Sequence, residues 1–245
     1  MRPPERRRGF LAQEGYLIVR EFFSPEEIEK VATVQDAYYR GEHDIQPVFS
    51  WPGPRPCRAR TRKNPFASFF LSPLAQLLRD GRLAKLVAEN TGMDGIRFWH
   101  DQLLYEEPRD SGKANYHWHR EESRWLTCEA SQMATAWIPL IDYTDEMGPI
   151  TIIPDGRAES HIKRMALKAG DLVIFNSHTL HGNPPNFGDI PRRAVAAHFA
   201  SADLRYRKAG KFSHVNERLV SRRNGVPDFQ DERVCPTISV RESCR

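Results

Sequence analysis

The 245-residue chain is short of cysteine, of long apolar runs and of any charge excess, and each shortage closes off a class of function. Its four cysteines, Cys57, Cys128, Cys235 and Cys244, stand far apart. The close pairs of zinc ribbons and dithiol redox motifs are therefore missing, and the thiols read as reduced. No apolar stretch approaches the roughly 20 residues that span a bilayer, and the basic start MRPPERRRGF is not followed by the apolar core of a secretory signal. The expectation is a cytoplasmic protein with no membrane partner. Charge is nearly balanced, 36 Lys and Arg against 32 Asp and Glu for a net of +4. A nucleic-acid-binding domain concentrates cations on one face, whereas here acids interrupt most basic runs, so no nucleic-acid partner is expected. The densest basic stretches, Glu5 to Arg8 and Arg58 to Lys63, read as solvated surface. With neither internal repeats nor a low-complexity linker, residues 1–245 read as one domain. At this length a chain buries roughly 70–75% of its unfolded surface and needs no disulfide or metal merely to fold.

What is present has two textures. Residues 1–94 are mainly helical in pattern. The apolar strand segment GYLIVREFF precedes SPEEIEKVATVQDAYYRG, in which Ser24 suits a helix cap, Pro25 the first helical position and Glu27 the far side of a capping box. Ile28, Val31, Val34, Ala37 and Tyr38 follow at helical spacing. A Pro-, Gly- and aromatic-rich loop covers residues 46–60, and SPLAQLLRDGRLAKLVAENTG supplies a second helical stretch ending at Gly92. From about residue 95 to 205 come short β segments, IRFWHDQLLY, QMATAWIPLIDY, GPITIIP, DLVIFNS and RRAVAAHFA, separated by turn residues. Strands without intervening helices imply a sandwich or barrel, not a parallel sheet. Residues 206–245 read as a polar, Arg-rich tail.

The chemistry concentrates in NYHWHREESRW. On a strand, His117, His119 and Glu121 share one face, and two imidazoles with a carboxylate form a divalent-metal donor set. Alternating polar residues on an exposed strand would look the same, so the second half of the signal matters. His181 lies in SHTLHGNPPNFGDIPRRAVAAHFA, ahead of a turn, two arginines and another strand. Two histidines and one carboxylate are the donors of non-haem iron(II) oxygenases, which keep positions open for co-substrate and oxygen. An arginine entering a strand beside Ala194 and Ala196 can clamp a carboxylate bidentately, while the other of Arg192 and Arg193 is surface charge.

At these residues the chain resembles the phytanoyl-CoA dioxygenase-like branch of the iron(II)/2-oxoglutarate oxygenases. GYLIVREFFSPEEIEKV, FWHDQLLYEEP, WHREESRW, DEMGPITIIPDGR and, most specifically, HGNPPNFGDIPRR carry the likeness. The resemblance implies a mainly β fold with flanking helices, a double-stranded β-helix or jelly roll. It implies Fe(II), 2-oxoglutarate and O2 as cofactor and co-substrates, with His119, Glu121 and His181 as metal ligands. Arg192, 11 residues after His181, would hold the distal carboxylate of 2-oxoglutarate, with Thr135 and Tyr105 as further partners. Asp101, Glu122, Trp125 and Phe175 would line the substrate pocket. The family usually has Asp where this chain has Glu121, so ligand geometry is in question and His117 stands in reserve. A carboxylate at that position, where halogenating relatives have a small residue, points to oxygen-atom chemistry.

The expected reaction is hydroxylation, or another oxidation, of an unactivated carbon in a small molecule. Two acids in the pocket, Asp101 and Glu122, suggest a substrate bearing an amine, because a buried anion is costly unless paired. The basic loop near Arg58 to Lys63 suggests instead a lid that attracts an acidic one. Two other readings are a cupin-type metal enzyme without 2-oxoglutarate, which leaves Arg192 without a role, and a non-catalytic jelly-roll binding protein. Oligomeric state has no signal in the sequence.

Overall fold

The structure is a computed structural model that describes residues 4–109, 116–154, 161–209 and 214–240. Helix α1 (Pro4–Glu14) leads into strand β1 (Tyr16–Val19) and helix α2 (Pro25–Arg40). The capping box is made as its residues predict: the Glu27 amide donates to the Ser24 hydroxyl over 3.3 Å, and the Ser24 amide donates to the Glu27 carboxylate over 2.8 Å. The helix ends at Gly41, whose φ of 92° a residue with a Cβ rarely adopts. It buries Ile28, Val31, Gln35, Tyr38 and Tyr39. Ser24→Ala is expected to cost about 1 kcal/mol, a fall of about 2–4 °C in Tm by thermal unfolding.

Strand β2 (Thr61–Pro65) precedes helices α3 (Ser72–Leu78) and α4 (Gly81–Thr91). The long strand β3 (Ile96–Glu106) follows, then β4 (Tyr116–His119), β5 (Cys128–Glu129), β6 (Met133–Pro139), β7 (Thr151–Ile153) and β8 (Lys163–Arg164). The core closes with β9 (Leu172–Asn176), β10 (Leu180–Asn183) and β11 (Arg192–Ser201), after which come β12 (Arg205–Tyr206), β13 (Arg222–Arg223) and β14 (Val226–Pro227). Two antiparallel sheets dominate, a six-stranded one in the order β1-β9-β6-β11-β3-β2 and a four-stranded one in the order β4-β10-β7-β8. This is the jelly-roll arrangement with helices on one side.

Strand alternation gives the large sheet two apolar faces. One face presents Phe98, Leu103, Val195, Ala197 and Phe199 to the helical layer, which supplies residues such as Leu11, Val31 and Leu74. The other presents Trp137, Val173, Phe175, Ala194 and Ala196, which cluster with Ile152 from the small sheet and with Ile150 just before it. The functional cavity lies in this second layer.

Two expectations need correction. The boundary near residue 94 does not separate helices from sheet, because β1 pairs with β9 and β2 with β3. β2 reads TRKNP, too polar to announce itself; it is an edge strand whose form comes from the ladder with β3. Nor is the C-terminal segment merely polar. Phe229, Val234 and Cys235 are buried, Asn216 donates to the Trp99 carbonyl over 2.7 Å, and Arg97 bridges to Thr237. Among the described residues no helix is long and apolar enough to cross a membrane.

Candidate metal centre

His119 ends β4 and His181 lies on β10, directly opposite it in the antiparallel ladder, so the strand pairing brings two residues 62 positions apart into register. Their rings are 4.3 Å apart between centroids. Glu121 is not on the strand. The backbone stays extended for one residue at Arg120 (φ −110°, ψ 142°) and then turns into a 3-10 turn, Glu121–Ser123. Alternation thus survives just far enough to aim Glu121 at the two histidines from the turn. Its Oε1 is 3.6 Å from His181 Nε2 and 4.0 Å from His119 Nε2.

These three groups can hold a divalent ion: one ligand atom from each lies within 4.8 Å of the others. His181 Nδ1 is 3.0 Å from the Thr179 carbonyl, to which it donates, so Nε2 keeps its lone pair for the site. Burial by itself would raise the Glu121 pKa, but the imidazoles of His198, His181 and His119 outweigh it and hold the carboxyl well below the usual range. The donor set therefore consists of two nitrogen donors and one permanent anion, which suits iron(II).

The register of β11 decides what shares this space. Arg192, Ala194, Ala196 and His198 face inward, opposite Glu106, Leu104, Gln102 and His100 of β3. On the neighbouring strands Trp137 lies beside Ala196, and Thr135 lies beside His198 and Phe175. The cavity at the triad is lined by Lys63, Gln102, Thr135, Trp137, Phe175 and Ala196. A neighbouring smaller space, sharing Leu104, Trp137 and Asn183 with it, is lined also by Ala194, Tyr105, Glu106 and Arg192. On β11 the two alanines separate Arg192 from His198.

Of the residues singled out from sequence, His119, Glu121, His181, Thr135 and Phe175 meet in this cavity, and Arg192 borders the neighbouring smaller space. Thr135 Oγ1 is 2.8 Å from His198 Nδ1, and the Phe175 ring lies 4.4 Å from that of His181. Arg193 faces the other way, 2.9 Å from Asp36, as one of the pair should. Trp125 is buried behind the cavity, with its ring 5.2 Å from His198, and is not among the cavity-lining residues. The side chain of His117 lies outside the described residues.

Three placements differ from expectation. Tyr105 and Asp101 belong to the helix-facing side of β3, since β11 pairing turns Gln102, Leu104 and Glu106 inward instead. Tyr105 packs on Tyr39 and donates to Glu107, and it also borders the smaller space at Arg192. Asp101 is fully buried against the amide and hydroxyl of Ser68, and burial pushes its carboxyl up to about 6. Glu122 is exposed at the surface of the turn. The two acids that suggested an amine-bearing substrate are thus outside the cavity. Sequence reading missed Lys63, Gln102 and Glu106. Gln102 was recoverable from the parity of β3 once one inward residue was known, but Lys63 depended on recognising TRKNP as a strand.

Behind Thr135 lies a buried cluster that the metal centre does not use. His100 and His198 rings are 4.3 Å apart, His100 and His214 4.8 Å, and His214 stacks on Trp99 at 4.7 Å. Burial holds all three imidazoles neutral, with His198 pushed down to about 3 and His214 to about 4.

Residues 11–194 match the family described as phytanoyl-CoA dioxygenase (PhyH). The ectoine dioxygenase of Bordetella parapertussis is 22% identical over 225 residues, covering 75% of this chain and 70% of that protein. The non-haem alpha-ketoglutarate-dependent epimerase SnoN from nogalamycin biosynthesis superposes with a TM-score of 0.76 at 18% identity over 96% of this chain and 98% of its own. The ectoine enzyme EctD from S. alaskensis, crystallised with 2-oxoglutarate and 5-hydroxyectoine, gives a TM-score of 0.67 at 18% identity, covering 83% and 78% of the two chains. At these identities the structural likeness speaks for the fold.

Proposed function

The chain belongs to the phytanoyl-CoA dioxygenase family and is an iron(II)- and 2-oxoglutarate-dependent dioxygenase of small molecules, and from that premise we propose how its own residues divide the work. His119, Glu121 and His181 hold the iron. Arg192 anchors the distal carboxylate of 2-oxoglutarate, and Thr135 offers its hydroxyl along the way. With dioxygen, iron and 2-oxoglutarate supply an oxidant able to attack an unactivated C–H bond, the co-substrate leaving as succinate and carbon dioxide. The observation that carries the reading is the convergence of two imidazoles and a carboxylate in one cavity, with a buried guanidinium beside a neighbouring space that shares Leu104, Trp137 and Asn183 with it.

The remaining residues orient and protect. Trp137, Phe175, Leu104 and Ile150 give the cavity apolar walls that exclude water from a reactive centre. Glu121, ionised throughout the working pH range, contributes the charge that favours a divalent cation over water in this dry setting. The neutral His198 imidazole orients the Thr135 hydroxyl from behind.

The substrate reading changes with the placement of the acids. Lys63, on the exposed edge strand, lines the cavity together with Gln102; desolvation lowers its pKa and attraction to Glu121 opposes that. A small substrate presenting a carboxylate, a phosphate or another strong hydrogen-bond acceptor suits this lining better than an amine. This agrees with the basic stretch ending at Lys63 acting as an electrostatic attractant.

Anaerobic titration of the metal-free protein with Fe(II) and then 2-oxoglutarate tests the assignment. The visible absorption band of a 2-oxo acid chelated to iron(II) is expected in the wild type, and its absence overturns the reading. Arg192→Leu is expected to raise the 2-oxoglutarate concentration needed for half-saturation of the band at least tenfold, the scale of losing a charge-assisted bidentate contact. Succinate release measured across carboxylated and phosphorylated metabolites, against amines, then reads the substrate class.

A further inference from the structure

We propose that Glu106 is a built-in competitor of the co-substrate: its carboxylate occupies the guanidinium of Arg192 and so holds down the affinity for the distal carboxylate of 2-oxoglutarate. This rests on the reading of Arg192 as the co-substrate anchor. Arg192 and Glu106 are directly opposite each other on β11 and β3, and both side chains are almost completely buried, at 5% and 2% exposure. Arg192 Nη2 donates to Glu106 Oε2. The other carboxylate oxygen of Glu106 accepts the amide of Asn186 over 2.9 Å, so it is held from the far side as well.

The other terminal nitrogen is committed to the backbone. Nη1 donates to the carbonyls of Met147 at 2.9 Å, Pro184 at 2.7 Å and Gly148. Gly148 has a φ of 62°, and a Cβ there would come within 2.3 Å of the Pro184 oxygen and 2.8 Å of Arg192 Nη1. Two turns are thus folded tightly around this one side chain, which cannot swing away to meet a ligand. A second carboxylate must come to it, and what it finds is a cation already neutralised.

The arrangement has a physical rationale. A buried guanidinium without a partner is costly, so the chain without co-substrate needs an anion at this position, and Glu106 is that anion. When the distal carboxylate arrives, two anions share one cation at a distance of a few ångströms in a low-dielectric setting, and their repulsion opposes binding. Exchange against Glu106, rather than simple capture by an open arginine, then sets the affinity. Only 2-oxo acids with a distal carboxylate feel this competition. Pyruvate, with the same chelating end and no distal carboxylate, does not.

The test is equilibrium binding to the full-length protein loaded with Ni(II), read by quenching of tryptophan fluorescence and by calorimetry, so that no turnover is involved. Glu106→Gln preserves shape and an acceptor for the Asn186 amide while removing the charge. It is expected to bind 2-oxoglutarate at least tenfold more tightly than the wild type and pyruvate within twofold of it. Binding of 2-oxoglutarate that is unchanged or weaker in Glu106→Gln overturns the proposal, since Glu106 then only props the arginine. The wild type alone provides a second measurement that does not depend on the variant folding. A preference for 2-oxoglutarate over pyruvate below thirtyfold supports a neutralised anchor, and a larger one overturns it. If Arg192→Leu binds 2-oxoglutarate like the wild type, it is the anchor reading itself that fails, whatever Glu106→Gln does.

Discussion

Glu121→Ala is expected to lower Fe(II) affinity more than a hundredfold and turnover about a thousandfold, the largest single effect in this chain. Loss of an outer partner of a metal ligand costs about 10–100-fold, and loss of the ligand itself exceeds that. Glu121 is the one carboxylate in the set, 7% exposed, and its removal leaves only two imidazoles facing a divalent cation in a space walled by Trp137 and Phe175. A thousandfold loss corresponds to about 4 kcal/mol of barrier. Glu121→Asp is a sharper probe. The carboxylate starts from a 3-10 turn rather than from β4, so shortening it by a methylene draws it back from His181 and His119, and an intermediate loss is expected although the usual family residue has been restored. Anaerobic equilibrium dialysis for iron and succinate formation for turnover measure both variants. Wild-type metal binding by Glu121→Ala would remove Glu121 from the ligand set.

Mild acid should destabilise the metal-free protein by about 3 kcal/mol between pH 7 and pH 5.5. Burial depresses His198 to about 3, His214 to about 4 and His100 well below its ordinary 6.5. Between those values and 6.5 the unfolded chain binds protons that the folded one refuses, so stability is present above pH 6.5 and is lost as pH falls. The three imidazoles together forfeit about 4 kcal/mol by pH 5.5. Asp101 works in the opposite sense. Burial raises it from 3.8 to about 6, so the folded state holds the extra proton between those values and gains stability as pH falls. Its contribution over this interval is about 1 kcal/mol, which leaves the net loss near 3. In a chain of this size that is a fall of about 6–12 °C in Tm. Thermal unfolding at the two pH values decides it, and a Tm that is constant or higher at pH 5.5 would show that the imidazoles are not held neutral.

Much of this protein was legible in one dimension because the signals are local. The capping box at Ser24 and Glu27 needs only residues three apart, and the start of the helix was predictable from it. The antiparallel β core followed from short apolar segments separated by turn residues. The triad was legible because His119 and Glu121 are two apart and because the turn and arginine after His181 carry a family likeness. Trp125, by contrast, falls at a family position yet lies behind the cavity, since position along the chain does not state depth.

Sequence alone determined the donor types, their order along the chain and the class of fold, since these depend on residue identity and short-range periodicity. Only the tertiary structure decided which face of each strand looks inward. On β3 a one-residue difference in parity separates Tyr105 and Asp101, packed against helices, from Gln102, Leu104 and Glu106, facing the cavity, and that choice is made by the ladder with β11 about 90 residues away. The same ladder sets Glu106 against Arg192, and the edge pairing of β2 brings Lys63 to the cavity. Charges that nearly cancel along the chain are thereby sorted into a metal-binding carboxylate, a neutralised arginine and a lysine at the cavity, because pairing across a sheet obeys register, which is settled by the packing of both faces at once.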